Sequence, residues 1–479
     1  MAEKNVQVGI ANELGLDAWM IEEDERQKEI WESVKHYQRP KTPELQEQLE
    51  WFMDQKFGLM IHWGLYNQMG MKESWPLVDA YEWTRWQFPP ETTPEEIKEM
   101  YSRLHKGFLP LRFNPKEWAD VAYDAGFRYL CFTTKHHDGF CLWDTKTSNY
   151  KVTGSDVPWK DHKYADITKH LFDAFRKKGM GISAYYSRAD FSCPYYWEEG
   201  YGAKRGAKRV PSYSPKEKPE KWKKFQEYVF AQLKELVTDY GKIDCLWYDG
   251  GCSGRELGLP EMTEELRKIQ PHMLGVIRGG SGVCEDIFTP ELVRPNKYLP
   301  VPWEECEVMG KKMYENGGEG VSFGYTYDQD YMSTKEIAHA LLDIVAKGGN
   351  LALNLAPQPD GRLPGRALKK LKVLGEWMKT FSGAIYSTRA VSPYRTEQYA
   401  YTRSKDGKIV NVFYLYDEEE CIRSEYTFAL EGTAEKVEDV RSGKDLHFVQ
   451  DGNHITVYLP AEISGRQGDI ADCFRVALA

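Results

Sequence analysis

Short apolar segments that run into polar side chains recur along most of this chain of 479 residues. They are predicted to be strands, and they cover residues 57–61, 129–132, 181–184, 243–248, 274–277 and 351–353. The second segment is soon followed by Lys135, His136, His137 and Asp138, which are costly to bury unless they face a ligand. In a parallel arrangement the carboxyl ends of such strands lie together. The pattern therefore predicts one polar crevice at one face of a sheet or barrel.

Helical patterns separate these strands, as parallel strands require. Asn114 before Pro115, and Ser333 three residues before Glu336, are signals for the start of a helix. From residue 388 onward the chain changes to short strands separated by turn signals such as residues 405–407. We predict an α/β fold with a polar N-terminal lead-in over residues 1–49, a (β/α) barrel domain over 50–387 and an antiparallel β-sandwich domain over 388–479.

Composition disfavours several classes of function. The formal net charge is −10 and no basic block stands out, which disfavours nucleic-acid binding. No apolar run is long enough to span a membrane, and the first residues lack the apolar core of a secretion signal, so we expect a cytoplasmic protein without a membrane partner. The nine cysteines show no CxxC spacing and are expected to be reduced thiols. No phosphate-binding glycine loop is present, and we expect no cofactor.

His136 and His137 raise the question of a metal site. Adjacent residues of a strand point to opposite faces, so these two imidazoles would struggle to share one ion. The cysteines add no spacing typical of zinc ligands. We therefore expect no metal in the crevice.

Aromatic residues make up 14% of the chain, with 15 Trp and 30 Tyr. Core packing explains most aromatic residues in any protein, but several here, such as Trp63, Trp75, Trp143 and Trp247, lie beside the polar strand ends. An aromatic face covers the apolar face of a sugar ring, whereas His, Asp, Glu and Arg side chains hydrogen-bond to its hydroxyls. This combination predicts a crevice for a neutral carbohydrate.

A series of segments resembles, in the right order, the signatures of the α-L-fucosidases of glycoside hydrolase family 29. They are FGLMIHWGLY (57–66), YLCFTTKHHDGFCLW (129–143), GISAYYS (181–187), LWYDGG (246–251) and GGNLALNLAPQPDG (348–361). The resemblance implies an irregular (β/α)8-like (TIM) barrel followed by a β-sandwich. It also implies exo-hydrolysis of terminal α-L-fucosyl residues from glycans, with retention of configuration. A fucosylated glycan or fucoside is then the expected partner. Whether the protein forms a homo-oligomer is left open by the sequence.

Retaining hydrolysis needs two carboxyl groups about 5–5.5 Å apart, one as nucleophile and one as acid and then base. Asp249 ends a predicted strand before two glycines and matches the family's nucleophile position. Glu291 lies in a segment that resembles the acid/base segment of some bacterial members, and it is our preferred acid/base. Glu304 resembles the position used in others and is its rival, because Trp303 offers an apolar wall that would raise its pKa. Asp286 ranks third.

The resemblance also implies the residues that bind the sugar. Its hydroxyls are expected to contact His62, His136, His137, Tyr185 and Arg278. Trp75 and Phe323 resemble the apolar wall that receives the methyl group on C5. Many members have adjacent Glu and Trp in the loop before this wall, whereas this chain has Glu73-Ser74-Trp75. Glu73 is therefore a candidate ligand whose position is shifted by one residue.

Two alternative functions use the same residues. One is an exo-glycosidase for α-L-galactosides, which differ from fucosides by one hydroxyl on C6; rejecting that hydroxyl is worth about 1–3 kcal/mol. The other is a carbohydrate-binding protein without activity on a decayed enzyme scaffold. The intact Asp249 argues against decay.

Overall fold

The computed structural model describes residues 23–79, 82–85, 87–202, 206–278, 284–311, 322–327 and 329–479. Within them, a seven-stranded sheet has the order β5-β4-β3-β2-β1-β7-β6, and every neighbouring pair is parallel. The strands are β1 (Phe57–Ile61), β2 (Tyr129–Lys135), β3 (Gly181–Ser187), β4 (Cys245–Asp249), β5 (Leu274–Ile277), β6 (Glu304–Val308) and β7 (Asn350–Asn354). All carboxyl ends therefore lie at one end of the sheet, as the sequence predicts.

Helices connect most of these strands. They are α1 (Glu23–His36), α2 (Pro43–Gln55), α3 (Pro94–Ser102), α4 (Pro115–Ala125), α5 (Ile167–Arg176), α6 (Pro219–Asp239), α7 (Gly254–Leu257), α8 (Leu259–Arg267), α9 (Thr334–Ala346) and α10 (Gly365–Phe381). Asn114 caps α4 by accepting hydrogen bonds from the backbone N–H groups of residues 116 and 117. Ser333 and Glu336 form a capping box at the start of α9. Both helix starts agree with the signals in the sequence.

The gap between the edge strands β5 and β6 is filled by residues 286–292, which are not a regular strand. Ile287 forms a parallel bridge with Val276 of β5, while Phe288 bridges to Trp303, just before β6. At the far end of the segment, Glu291 bridges to Cys306 of β6. This segment closes the curled sheet where a regular barrel would have an eighth strand. It also carries Glu291 toward the carboxyl end of the barrel.

The barrel interior holds its own apolar cluster, which includes Cys131, Cys245, Trp247, Cys306 and Val308. Three residues of α2 belong to the same cluster, and these are Leu45, Leu49 and Phe52. Phe52 packs against Tyr129, the first residue of β2, with ring centroids 5.6 Å apart. Helix α2 therefore covers the amino end of the barrel and leaves the carboxyl end for the crevice.

The C-terminal part consists of two antiparallel sheets. One has the order β13-β12-β16-β10-β9-β8 and the other β11-β15-β14. The strands are β8 (Arg389–Arg395), β9 (Tyr399–Arg403), β10 (Ile409–Leu415), β11 (Glu425–Ala429), β12 (Ala434–Asp439), β13 (Lys444–Asp445), β14 (His447–Asp451), β15 (His454–Tyr458) and β16 (Ala471–Leu478). Side chains from both sheets, among them Tyr414, Phe428 and Phe474, form one apolar cluster between them.

The sandwich is attached to the barrel by polar contacts as well as by packing. Trp377 of α10 donates its indole N–H to the carbonyl of Ala471, and Arg389 of β8 pairs with Asp54 of α2 at 2.8 Å. The structure confirms the predicted fold class, an irregular (β/α) barrel followed by an antiparallel β-sandwich. Among the helices of the described ranges, none is both long and apolar enough to cross a membrane.

Candidate active site

The carboxyl ends of the parallel strands bring most of the predicted site residues together. His62 follows β1, His136 and His137 follow β2, Tyr185 lies near the end of β3, Asp249 ends β4, and Arg278 follows β5. The ring centroids of His62 lie 5.8 Å from His136, 5.3 Å from Tyr185 and 4.8 Å from Phe323. All of these side chains except that of Asp249 are buried, so little of the polar surface of the crevice is open to bulk solvent.

Asp249 is held by two neighbouring side chains. The hydroxyl of Tyr185 donates a hydrogen bond to its Oδ2, and Nε2 of His137 lies 3.6 Å from the same oxygen. The Asp249 side chain is 19% exposed, so its carboxylate faces the opening. Gly250 has a positive φ of 48°, and a Cβ there would lie 2.5 Å from the His137 ring. A glycine is thus required after Asp249, because a larger residue would be strained at this φ and would collide with the imidazole of His137.

Arg278 connects the second carboxylate to this site. Its Nη2 pairs with Oε2 of Glu291, whose side chain is 24% exposed. Burial lowers the pKa of Arg278 from its ordinary value, and the attraction of Asp249 opposes that shift. Within the part of the chain that the structure describes, Nε and Nη1 of Arg278 have no hydrogen-bond partner. The guanidinium can therefore bind Glu291 and still donate to a ligand.

The three histidines of the crevice are neutral at physiological pH. Burial lowers the pKa of His62 to about 4, although its hydrogen bond to Asn354 and the charge of Asp249 oppose the shift. Burial also holds the pKa values of His136 and His137 well below the ordinary range; His137 and His62 add to the shift of His136, and Arg209 and His62 add to that of His137. Neutral imidazoles suit a neutral sugar, because each ring offers one donor and one acceptor.

The two adjacent histidines lie on the same side of the crevice, contrary to the expectation from strand alternation. His136 and His137 come after the last residue of β2 and do not point to opposite faces, since their ring centroids are only 4.1 Å apart. Ligating atoms of His136, His137 and Asp249 lie within 4.8 Å of one another. That spacing would suit a cation, so the expected absence of a metal stays a prediction that depends on an experiment.

Aromatic rings line the crevice beside the polar groups. Trp75 packs on His137 with ring centroids 4.6 Å apart, and Phe323 packs on His62. Trp247 stacks on Tyr185 at 5.3 Å and 17° between the ring planes. The sequence predicts Trp247 beside the strand ends but assigns it no contact with the sugar, although its place two residues before Asp249 on β4 is a signal, because alternate residues of a strand share a face.

Glu73 is buried and supports the wall formed by Phe323. Its Oε1 accepts hydrogen bonds from the hydroxyl of Ser322 at 2.8 Å and from the backbone N–H of Gly324 at 2.7 Å. Burial raises the pKa of Glu73, and these donors oppose the shift. Contact of Glu73 with a sugar hydroxyl stays a prediction, whereas its hydrogen bonds explain how the segment with Phe323 is fixed.

Glu304 does not lie near the opening, which corrects the expectation that it rivals Glu291. It is the first residue of β6, at the amino end, and its two oxygens accept hydrogen bonds from the hydroxyl of Tyr129 and from Nε1 of Trp247. Trp303 faces the other side of the sheet, where its Nε1 donates to the carbonyl of Lys347. The structure therefore argues against Glu304 as the acid/base, because the carboxyl group is enclosed beneath Trp247.

Asp286 is also far from the crevice. Its Oδ2 accepts a hydrogen bond from the backbone N–H of Gly275, near the amino end of β5, and pairs with Arg267 of α8. Burial raises its pKa, and the charge of Arg267 opposes the shift. Of the three carboxyl groups considered for the acid, Glu291 is the one at the carboxyl end of the closing segment.

The comparisons with known proteins agree with this geometry. A sequence model of the family described as alpha-L-fucosidase matches residues 25–383. The chain is 27% identical to plasma alpha-L-fucosidase of Homo sapiens over 80% of this chain and 78% of that protein. It is 27% identical to tissue alpha-L-fucosidase of Rattus norvegicus over 87% of each chain.

Solved structures show the same fold. Alpha-L-fucosidase isoenzyme 1 from Paenibacillus thiaminolyticus superposes with a TM-score of 0.73 at 26% identity, over 91% of this chain and 100% of that chain. Alpha-fucosidase of Thermotoga maritima superposes with a TM-score of 0.70 at 26% identity, over 93% of this chain and 99% of that chain. Both domains of the present chain are therefore within the compared region.

Proposed function

The chain belongs to the α-L-fucosidase family, and we propose that it hydrolyses terminal α-L-fucosides with Asp249 as nucleophile and Glu291 as acid/base. The observation that supports these roles is that one buried arginine, Arg278, pairs with the partly exposed Glu291 and also feels the charge of the partly exposed Asp249. The chain is a glycoside hydrolase, and its substrates carry a terminal fucosyl residue. Its configuration-retaining reaction has two steps.

In the first step, an oxygen of Asp249 forms a bond to C1 of the fucosyl residue. The bond between C1 and the glycosidic oxygen breaks, its electron pair stays on that oxygen, and Glu291 donates a proton to it. Tyr185 holds the attacking carboxylate through its hydroxyl. This contact orients Asp249 and loosens as negative charge leaves the carboxylate.

In the second step, Glu291 removes a proton from water, and the water oxygen forms a bond to C1. The bond between C1 and Asp249 then breaks, which returns the carboxylate and releases fucose with its original configuration. The exposure of the Glu291 side chain supports this role, because water and the leaving group must both reach it.

The aromatic wall suits the methyl group of fucose. Phe323 and Trp75 pack on the histidines that are expected to bind the hydroxyls. Trp247 extends the apolar surface below Tyr185. An apolar surface beside hydrogen-bonding imidazoles distinguishes a 6-deoxy sugar from one with a hydroxyl on C6 by about 1–3 kcal/mol.

The deciding experiment compares Asp249→Gly with the parent enzyme on an aryl α-L-fucoside. We expect a loss of several orders of magnitude in kcat, because the covalent step disappears. Added azide should restore turnover and give a β-fucosyl azide, since the small anion enters the space left by the carboxylate. The matched control is Asp239→Ala, at the exposed end of α6, which should keep full activity.

The stereochemistry is a second readout. Proton NMR of the parent reaction should show α-L-fucose as the first product. Near-normal activity of Asp249→Gly would remove Asp249 from the mechanism. Cleavage of aryl α-L-galactosides in place of fucosides would mean that the substrate is an α-L-galactoside.

A further inference from the structure

The hydrogen bonds around His137 determine which of its nitrogens carries the proton. Nδ1 lies 2.5 Å from Oγ of Ser187. The hydroxyl of Ser187 donates its own hydrogen to the carbonyl of Ala189 at 2.8 Å. Since a hydroxyl has a single hydrogen, Ser187 can only accept from His137. The proton of the neutral ring is therefore on Nδ1.

The other nitrogen of His137 is left as an acceptor. Nε2 is buried and has no hydrogen-bond partner among the residues that the structure describes. It lies 3.6 Å from Oδ2 of Asp249, but without a proton it cannot donate to that carboxylate. A buried acceptor without a donor is unfavourable, so the site is built for a donor that arrives with a ligand.

His62, which follows the neighbouring strand β1, shows the same arrangement. The amide nitrogen of Asn354 donates to the carbonyl of Phe323 at 2.7 Å, which turns its Oδ1 toward His62. That oxygen lies 3.2 Å from the backbone nitrogen and 2.8 Å from Nδ1 of His62. The ring proton is again on Nδ1. Two imidazoles of the crevice are thus held as the same tautomer by residues of separate strands, Ser187 of β3 and Asn354 of β7.

We propose that Ser187 is a positioning residue that keeps His137 in the Nδ1–H tautomer, so that Nε2 accepts a hydrogen bond from the substrate hydroxyl on C2. This inference rests on the proposed role of Asp249. If an oxygen of Asp249 attacks C1, the hydroxyl nearest to it is the one on the adjacent carbon, C2. The nitrogen closest to that oxygen, Nε2 of His137, is then the natural acceptor.

The tautomer also protects the nucleophile. With its proton on Nε2, His137 would donate to Oδ2 of Asp249 and compete with the attack on C1. With its proton on Nδ1, its Nε2 accepts the hydrogen of the 2-hydroxyl and leaves the carboxylate of Asp249 free to attack C1. Hydrogen bonds to the 2-hydroxyl strengthen in the transition state of retaining glycosidases, so the effect is expected in kcat as well as in KM.

The first test reads the tautomer directly, without substrate. Two-bond proton–nitrogen correlation spectra of enzyme labelled with [15N]histidine distinguish a protonated from an unprotonated ring nitrogen, and a His137→Gln variant assigns the signal. We expect the proton of His137 on Nδ1 in the parent and on Nε2 in Ser187→Ala. A proton on Nε2 in the parent overturns the proposal. The reading of the parent enzyme does not require Ser187→Ala to fold.

The second test couples the variant to the substrate. Ser187→Ala should lower kcat/KM for an aryl α-L-fucoside about 10- to 100-fold. On the 2-deoxy fucoside the same change should have little further effect, because the hydrogen bond is already missing. The matched control is Ser183→Ala, which removes another buried hydroxyl from the same strand and should lower the rates on both substrates equally.

The outcomes separate this inference from the proposed function. Equal losses for Ser187→Ala on both substrates overturn the role of the 2-hydroxyl, as does coupling to the 3- or 4-deoxy fucoside instead. An inactive parent enzyme contradicts the proposed function, whereas the NMR result for His137 stands apart from it.

Discussion

Replacing Glu304 by Gln should stabilise the protein at alkaline pH and not at acidic pH. Glu304 is buried in the barrel interior, where it accepts hydrogen bonds from Tyr129 and Trp247. Burial raises its pKa from 4.5 to about 7, and these two donors oppose the shift. The folded protein therefore holds the proton more tightly than the unfolded chain does. Gln has nearly the same shape and never becomes charged.

The magnitude follows from the two pKa values. Because the folded value is the higher one, the contribution of the protonated group is complete below about pH 4.5 and is lost as the pH rises to about 7. At about 1.4 kcal/mol per pH unit, the total loss is about 3 kcal/mol. Between pH 5 and pH 8, the advantage of Glu304→Gln should grow by about 2.5 kcal/mol.

The assay is urea-induced unfolding of parent and variant at several pH values, followed by tryptophan fluorescence. The exposed Glu435 of β12 provides the matched control, since Glu435→Gln should change stability by the same small amount at every pH. A constant difference between parent and Glu304→Gln from pH 5 to pH 8 would falsify the reasoning, because it would mean that Glu304 does not titrate in this window.

The remaining predictions concern activity. Glu291→Ala should slow hydrolysis of natural fucosides far more than that of fucosides with activated aryl leaving groups, because only poor leaving groups need the proton; Glu304→Gln should show no such dependence, and the reverse result would restore Glu304 as the acid. Exhaustive chelation should leave activity unchanged despite the closely spaced ligating atoms of His136, His137 and Asp249, whereas loss of activity that zinc restores would contradict a mechanism without metal. Phe323→Ala should lower kcat/KM for aryl fucosides about 10-fold or more and affect α-L-galactosides less, since the methyl group loses its apolar contact; equal losses on both sugars would mean that Phe323 does not contact C6.

Apolar strands with polar carboxyl ends could be predicted from the sequence because their signal is local. Strand β1 is observed at Phe57–Ile61, as predicted, and the segment predicted at 243–248 is observed as β4 at Cys245–Asp249. The crevice follows from the parallel direction of the strands. The sequence did not assign roles to Ser187 and Asn354, because a tautomer depends on hydrogen bonds between different strands.

Glu304 differs from the expectation for one physical reason: it begins a strand, β6, that the sequence does not predict. Its sequence, EECEV, has three acidic residues in five and lacks the apolar character of the other strands. Without a strand at this place, Glu291 can be ranked ahead of Glu304 by resemblance, but the two cannot be assigned to opposite ends of the barrel. Within a parallel strand, however, the first residue lies at the amino end and the crevice at the other. The direction of β6 alone thus makes Glu304 a poor candidate for the acid. The closing segment 286–292 runs parallel to β6, and Glu291 lies near its carboxyl end, on the side of the crevice.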